Sequence, residues 1–236
     1  MESIELISVL GRNRFEFQSV VPFDPQKEKL SLIDLSAGNK VLSDEILGDT
    51  KTFTAFINQL LRDNDARYLI GGYGEHRAVY SHSKVFDGKS LDEEPRRLHL
   101  GIDIWGKPNT PVMAPLNGMI HSFAFNNRPG DYGATIILTH QLERRTFYSL
   151  YGHLSLNSIK NLREGDVIMN GDIFAEFGIP AENGQWPPHL HFQLIDDLDG
   201  WNGDYPGVCK NSEKEKYLAN CPDPDLVLQL MKFVTG

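Results

Sequence analysis

Two histidines separated by one residue, His189 and His191, stand in the run PPHLHFQL, and far upstream His99 precedes Asp103 in LHLGIDIWG. On extended backbone, positions i, i+2 and i+4 share a face. Each pair can therefore aim both side chains into one pocket. Imidazole and carboxylate together are a zinc ligand set, and three such ligands with an open fourth position make a catalytic site. The residue types point to chemistry at a single zinc ion (Zn2+). Gly101, between His99 and Asp103, lets backbone or ligand approach closely. Pro187-Pro188 stiffens the entry to His189, and SLYGHLS offers a further histidine, His153, at the end of an expected strand. An HxH pair also fits a cupin barrel. A cupin would place a glutamate soon after the pair and another histidine downstream, whereas here Phe192-Gln193-Leu194-Ile195 follows and no histidine occurs after His191.

The elements that must position these residues are short strands. From about residue 66 to 196 the pattern predicts strands over Met119–Phe125, Ala134–His140, Thr146–Tyr151, Ile173–Phe177 and Leu190–Ile195. Turn-forming clusters rich in Gly, Pro and Asn separate them, which predicts a mainly β domain of antiparallel sandwich or barrel type. Residues 1–65 read as a small α+β appendage, with a strand over Glu28–Leu35 and a helix over Lys51–Arg62. Phe53, Phe56, Ile57, Leu60 and Leu61 make one apolar stripe on that helix, and Asp49 or Thr50 can cap it. Residues 197–236 read as a loop-rich extension that ends in a helix over Asp225–Val234. His140 and His121 are expected to be structural strand residues, and His76 and His82 to lie at the surface or rim.

Composition narrows the function classes. The chain of 236 residues is 40% hydrophobic, enough for a globular core, and its formal net charge is −9 from 32 acidic and 23 basic residues. No dense Lys/Arg cluster occurs, which argues against nucleic acid or an anionic membrane as the main partner. No apolar run approaches a membrane span. The start MESIELISVLGRNRFEF lacks the basic, apolar and cleavage regions of a secretory signal, which favours a cytoplasmic location. Cys209 and Cys221 are then expected to be free thiols. The acidic run Asp196-Asp197-Leu198-Asp199 lacks the spacing and glutamate of a calcium loop and reads as a solvated turn.

HLGID, APLNGMIHSF, GATIILTH, YSLYGHLS, REGDVIMNGDIFAEFG and PPHLHFQL, in that order, resemble the M23 zinc metallopeptidases, the lysostaphin-like or LytM-like endopeptidases. The resemblance covers roughly residues 70 to 196. It implies an antiparallel two-sheet, sandwich-like peptidase domain over 66–196 with a narrow groove. It implies His99, Asp103 and His191 as ligands of one Zn2+, with His153 and His189 flanking the metal as catalytic groups. It places Arg77, Tyr80 and Trp186 at the substrate groove, and it implies a peptide or peptidoglycan-like substrate. The pattern lacks the HExxH helix with its glutamate base, so a histidine base is the expected substitute. Three features depart from the family: its members are typically exported whereas no export signal is read here, a bulky ENGQWPP stretch replaces the usual glycine-rich approach to HxH, and the terminal segments have no counterpart in the minimal domain. A metal-bearing but catalytically silent binding module is the alternative function.

Overall fold

The structure, a computed structural model, describes residues 5–88, 90 and 92–235. Its strands in chain order are β1 (Leu30–Leu32), β2 (Tyr68–Gly71), β3 (Leu98–His99), β4 (Ile102–Trp105), β5 (Pro111–Met113), β6 (Gly118–Asn126) and β7 (Gly133–Leu142). They continue with β8 (Arg145–Leu154), β9 (Val167–Ile168), β10 (Ile173–Glu176), β11 (His189–Ile195), β12 (Val208–Cys209) and β13 (Val234–Thr235). Nine of them form a single sheet in the order β13-β1-β2-β4-β11-β8-β7-β6-β9, and β10-β5 and β12-β3 form two-stranded ribbons. The chain is mainly β, as expected. The large sheet is mixed rather than wholly antiparallel, because β1 pairs in parallel with both β2 and β13.

The alternation of side chains builds two environments across the central strands. Ile102 and Ile104 of β4, Leu190, Phe192 and Leu194 of β11, Tyr151 of β8, and Ile136 and Leu138 of β7 all join one apolar core. Each such aliphatic or aromatic side chain contributes about 1.5–3 kcal/mol by leaving water. The intervening positions, Asp103 and Trp105 on β4 and His189, His191 and Gln193 on β11, belong to the opposite face. They are buried as well. The sheet is therefore covered on both sides at its centre, and polar side chains there must find partners inside the protein.

The helix Thr50–Asp63 closes part of the second face. Asp49 caps it, its carboxylate accepting from Thr52 N at 2.8 Å. Phe53 and Ile57 pack with Leu69 and Trp105 in a second apolar cluster, which also holds Tyr80 and Trp186. The helix expected over Asp225–Val234 is shorter: it spans Asp225–Leu228 and ends at Gln229, which takes a left-handed φ of 51°. Asp225 causes the stop. Its Oδ1 accepts from Leu230 N and Met231 N at 2.8 and 3.0 Å, which curls the chain away from the helix and toward β13. The segment expected to be loop-rich also contains β12 and a helix over Lys214–Asn220. Cys209 and Cys221 are both free and buried.

Candidate metal centre

His99 and Asp103 do not share a strand. The chain breaks at Leu100-Gly101, so His99 sits on β3, paired to β12, while Asp103 sits on β4 between β2 and β11. Gly101 makes this possible by passing beneath His191, where even a Cβ would meet the imidazole Cε1 at 2.5 Å. Across the β4–β11 pair, His191 stands opposite Asp103 and His189 stands opposite Trp105. His99, Asp103 and His191 thus converge from three strands, and all three are buried.

Their facing atoms form a small triangle. His99 Nε2 lies 2.8 Å from His191 Nδ1 and 3.3 Å from Asp103 Oδ1, and His191 Nδ1 lies 3.1 Å from the same oxygen. The outer nitrogens decide which tautomers fit. His99 Nδ1 donates to Gly72 O at 2.9 Å, and His191 Nε2 donates to Gln193 Oε1 at 2.9 Å. With both N–H groups engaged there, two imidazole lone pairs and a carboxylate oxygen point at one another with no proton between them. Such a set calls for a cation. A tetrahedral ion with bonds of about 2.0–2.1 Å separates its ligand atoms by roughly 3.3 Å, close to the edges of this triangle. The residues therefore fit a bound metal ion.

Electrostatics favour the ligand-ready forms. Burial, then repulsion from Arg77, pushes His99 down to about 3, so its imidazole is neutral at neutral pH. Burial opposes ionisation of Asp103, but the Arg77 guanidinium, which donates to its Oδ2, outweighs it and holds the carboxyl well below the usual range. Arg77 borders the cleft, yet its side chain is turned inward: Nη1 donates to Asp103 Oδ2 and Nε donates to Glu75 Oε2 at 2.7 Å.

Two more histidines flank the triangle. The rings of His153 and His189 lie 4.1 Å apart, and His189 stacks on Trp105 at 3.8 Å. His153 Nδ1 donates to Asn183 O at 2.8 Å and His189 Nδ1 donates to Pro187 O at 2.7 Å, which leaves each Nε2 as an acceptor. Burial lowers His189 to about 4; burial and then the neighbouring His189 and His191 lower His153 well below its usual value. His153 carries a left-handed φ of 62°, an uncommon conformation for a non-glycine residue that costs about 1–3 kcal/mol and gathers at functional sites.

The four histidines and Asp103 open into a cleft of about 660 Å³ whose walls include Arg77, Tyr80, Phe86, Tyr132, Trp186 and Tyr205. Trp186 is mostly buried, edge-on to Tyr80 and His153, and its indole N–H has no partner among the described residues. Gln193, Gly72 and Asn183 accept hydrogen bonds from the imidazoles of the site, and typing of side chains passed them over. Gln193 was findable, since it lies two residues beyond His191 on the same strand face. Gly72 and Asn183 act through backbone carbonyls and carry no such signal.

Comparison with known proteins agrees with this geometry: the profile of peptidase family M23 matches residues 97–203. The chain carries an M23 peptidase domain. A curated relative is the L-Ala–D-Glu endopeptidase of Bacillus subtilis (strain 168), 24% identical over 127 residues, or 52% of this chain and 35% of that protein. The chain thus spans about a third of the length of that relative. Among solved structures, it is similar to the catalytic domain of the antimicrobial peptidase lysostaphin from Staphylococcus simulans. That match has 22% identity and a TM-score of 0.41, and it covers 69% of this chain and 97% of the other. A structure of LytU matches at 25% identity and a TM-score of 0.38, covering 68% of this chain and 90% of that one. No helix among the described residues is long and apolar enough to cross a membrane.

Proposed function

We propose that this M23 domain is a zinc-dependent metalloendopeptidase, with His99, Asp103 and His191 as the ligands. The convergence of three electron-donor atoms with no proton between them carries the reading. When bound, zinc supplies Lewis-acid polarisation of a scissile carbonyl and acidifies a water toward a pKa of about 7. His153 and His189 are neutral and present Nε2 as acceptors, so either can take that water's proton and return it to the leaving amine. Tyr80 is the better oxyanion donor. Its hydroxyl accepts from Arg77 Nη1 at 3.3 Å, which leaves its own proton for a ligand, and burial raises its pKa and keeps that proton in place. Loss of such a donor costs roughly 10²–10³ in rate. A cleft of about 660 Å³ suits a short stretch of extended peptide. The substrate class proposed is a peptide or a peptidoglycan-like peptide, including an L-Ala–D-Glu linkage of the kind named for the Bacillus relative.

The test is a zinc titration of the metal-stripped chain combined with cleavage of a panel of Gly-rich, Ala-rich and L-Ala–D-Glu peptides, read by mass spectrometry. One zinc per chain, with cleavage lost on chelation, is expected. Tight zinc binding without hydrolysis of any peptide would replace the reading with a metal-bearing binding groove, and absence of zinc binding would overturn it.

A further inference from the structure

Arg77 is only 2% exposed, and its guanidinium is held at three points. Nη1 donates to Asp103 Oδ2 and to the Tyr80 hydroxyl, and Nε donates to Glu75 Oε2 at 2.7 Å. The other oxygen of Glu75 accepts from Leu35 N at 3.1 Å, which ties the assembly to the chain just after β1. The two oxygens of Asp103 therefore have separate partners. Oδ1 faces the histidine nitrogens at 3.1 and 3.3 Å, and Oδ2 faces Arg77. Carboxylates bind cations through one oxygen or two. A chelating Asp103 would bring a fourth protein donor to the ion and fill the position that a water needs.

We infer that Arg77 confines Asp103 to one metal-binding oxygen and so keeps a coordination position open. Arg77 is then a positioning residue acting through Asp103. The inference rests on the zinc-peptidase reading above.

Two variants test it, Arg77→Met and Glu75→Gln/Arg77→Met. The double variant removes the carboxylate that Arg77 neutralises, retains the acceptor for Leu35 N, and decides the matter if the single variant does not fold. Zinc affinity is measured by chelator competition, the zinc shell by X-ray absorption, and kcat and KM on a cleaved peptide. The expected result is zinc affinity equal to or tighter than wild type, a two-oxygen carboxylate in the shell, and kcat down about 10–100-fold with KM little changed. Zinc affinity weakened about 10–100-fold with kcat intact at saturating zinc would overturn the inference and leave Arg77 as ordinary support for the ligand. An unchanged zinc shell in the variants would overturn it as well. Wild-type protein that binds no zinc would instead overturn the zinc reading, and this inference with it.

Discussion

Gly101→Ala is a one-methyl perturbation whose effect follows from distances. The new Cβ would lie 2.5 Å from His191 Cε1, 2.7 Å from His191 Nε2 and 2.8 Å from Phe192 O. Carbon atoms in good contact sit about 3.5–4.0 Å apart, so something must move by roughly 1 Å. The Phe192 carbonyl belongs to the centre of the sheet, where β11 pairs with β4 and β8. The imidazole gives way first. A shift of that size breaks the 2.9 Å bond from Nε2 to Gln193 and carries Nδ1 out of the ligand triangle. Overpacking of this kind costs about 1–3 kcal/mol. Charged to the metal-bound state, that is roughly a 5–150-fold loss of zinc affinity, at 1.4 kcal/mol per tenfold. Zinc competition and thermal melts with and without zinc measure it. Gly11→Ala, in the helix Leu6–Arg12, is the control, because a Cβ there meets nothing within 4 Å among the described residues. Zinc affinity in Gly101→Ala equal to that of the control would refute the idea that this glycine spaces His191 from the chain beneath it.

His191→Ala should abolish both zinc binding and peptide cleavage, whereas His189→Ala should spare zinc and remove cleavage; equal loss of zinc in both would refute the division of roles. His140 offers a prediction away from the metal. Burial pushes its imidazole down to about 4, so between that value and its ordinary 6.5 the unfolded chain binds the extra proton. The stability that neutral His140 contributes is full above about pH 6.5 and declines as pH falls toward 4, by at most about 3 kcal/mol. His140→Gln should flatten the acid limb of a denaturation-versus-pH curve in that window, and an unchanged limb would remove His140 from the account.

Much of this architecture was legible because strand period and turn chemistry are local. The expected segments for β6, β7, β8 and β11 fall within the observed strands, and the stripe on residues 50–63 marks a capped helix. What was not legible depends on partners distant in sequence. Nothing local in Leu30-Ser31-Leu32 announces a parallel partner at the far end of the chain. The early end of the last helix depends on one carboxylate closing a turn over two N–H groups. At the site, residue type and spacing pointed to the pairs His99/Asp103 and His189/His191, and the family resemblance singled out His99, Asp103 and His191 from them; neither pointed to the break at Gly101 that puts His99 and Asp103 on separate strands. Arg77 reads in sequence as an exposed cation near a groove; only the fold turns it into Asp103.

The different surroundings of the two histidines of HLH are a consequence of register more than of residue type. Both lie on one face of β11, and each has a ring nitrogen bonded to a nearby acceptor, so chemistry alone would let either bind a metal. The ladder separates them. His191 faces Asp103 on one side and Gly152 on the other, where the missing side chain admits the Tyr132 ring, while His189 faces Trp105 and lies flat on its indole. A slip of two residues would keep every side chain on its face and yet bring His189 to Asp103. What resists that slip is the opposite face, where Leu190, Phe192 and Leu194 pack against Ile102, Ile104 and Tyr151. Moving Phe192 to a leucine-sized space would cost several kcal/mol in voids and overlap. The apolar core beneath the sheet therefore assigns the two histidines their different places above it.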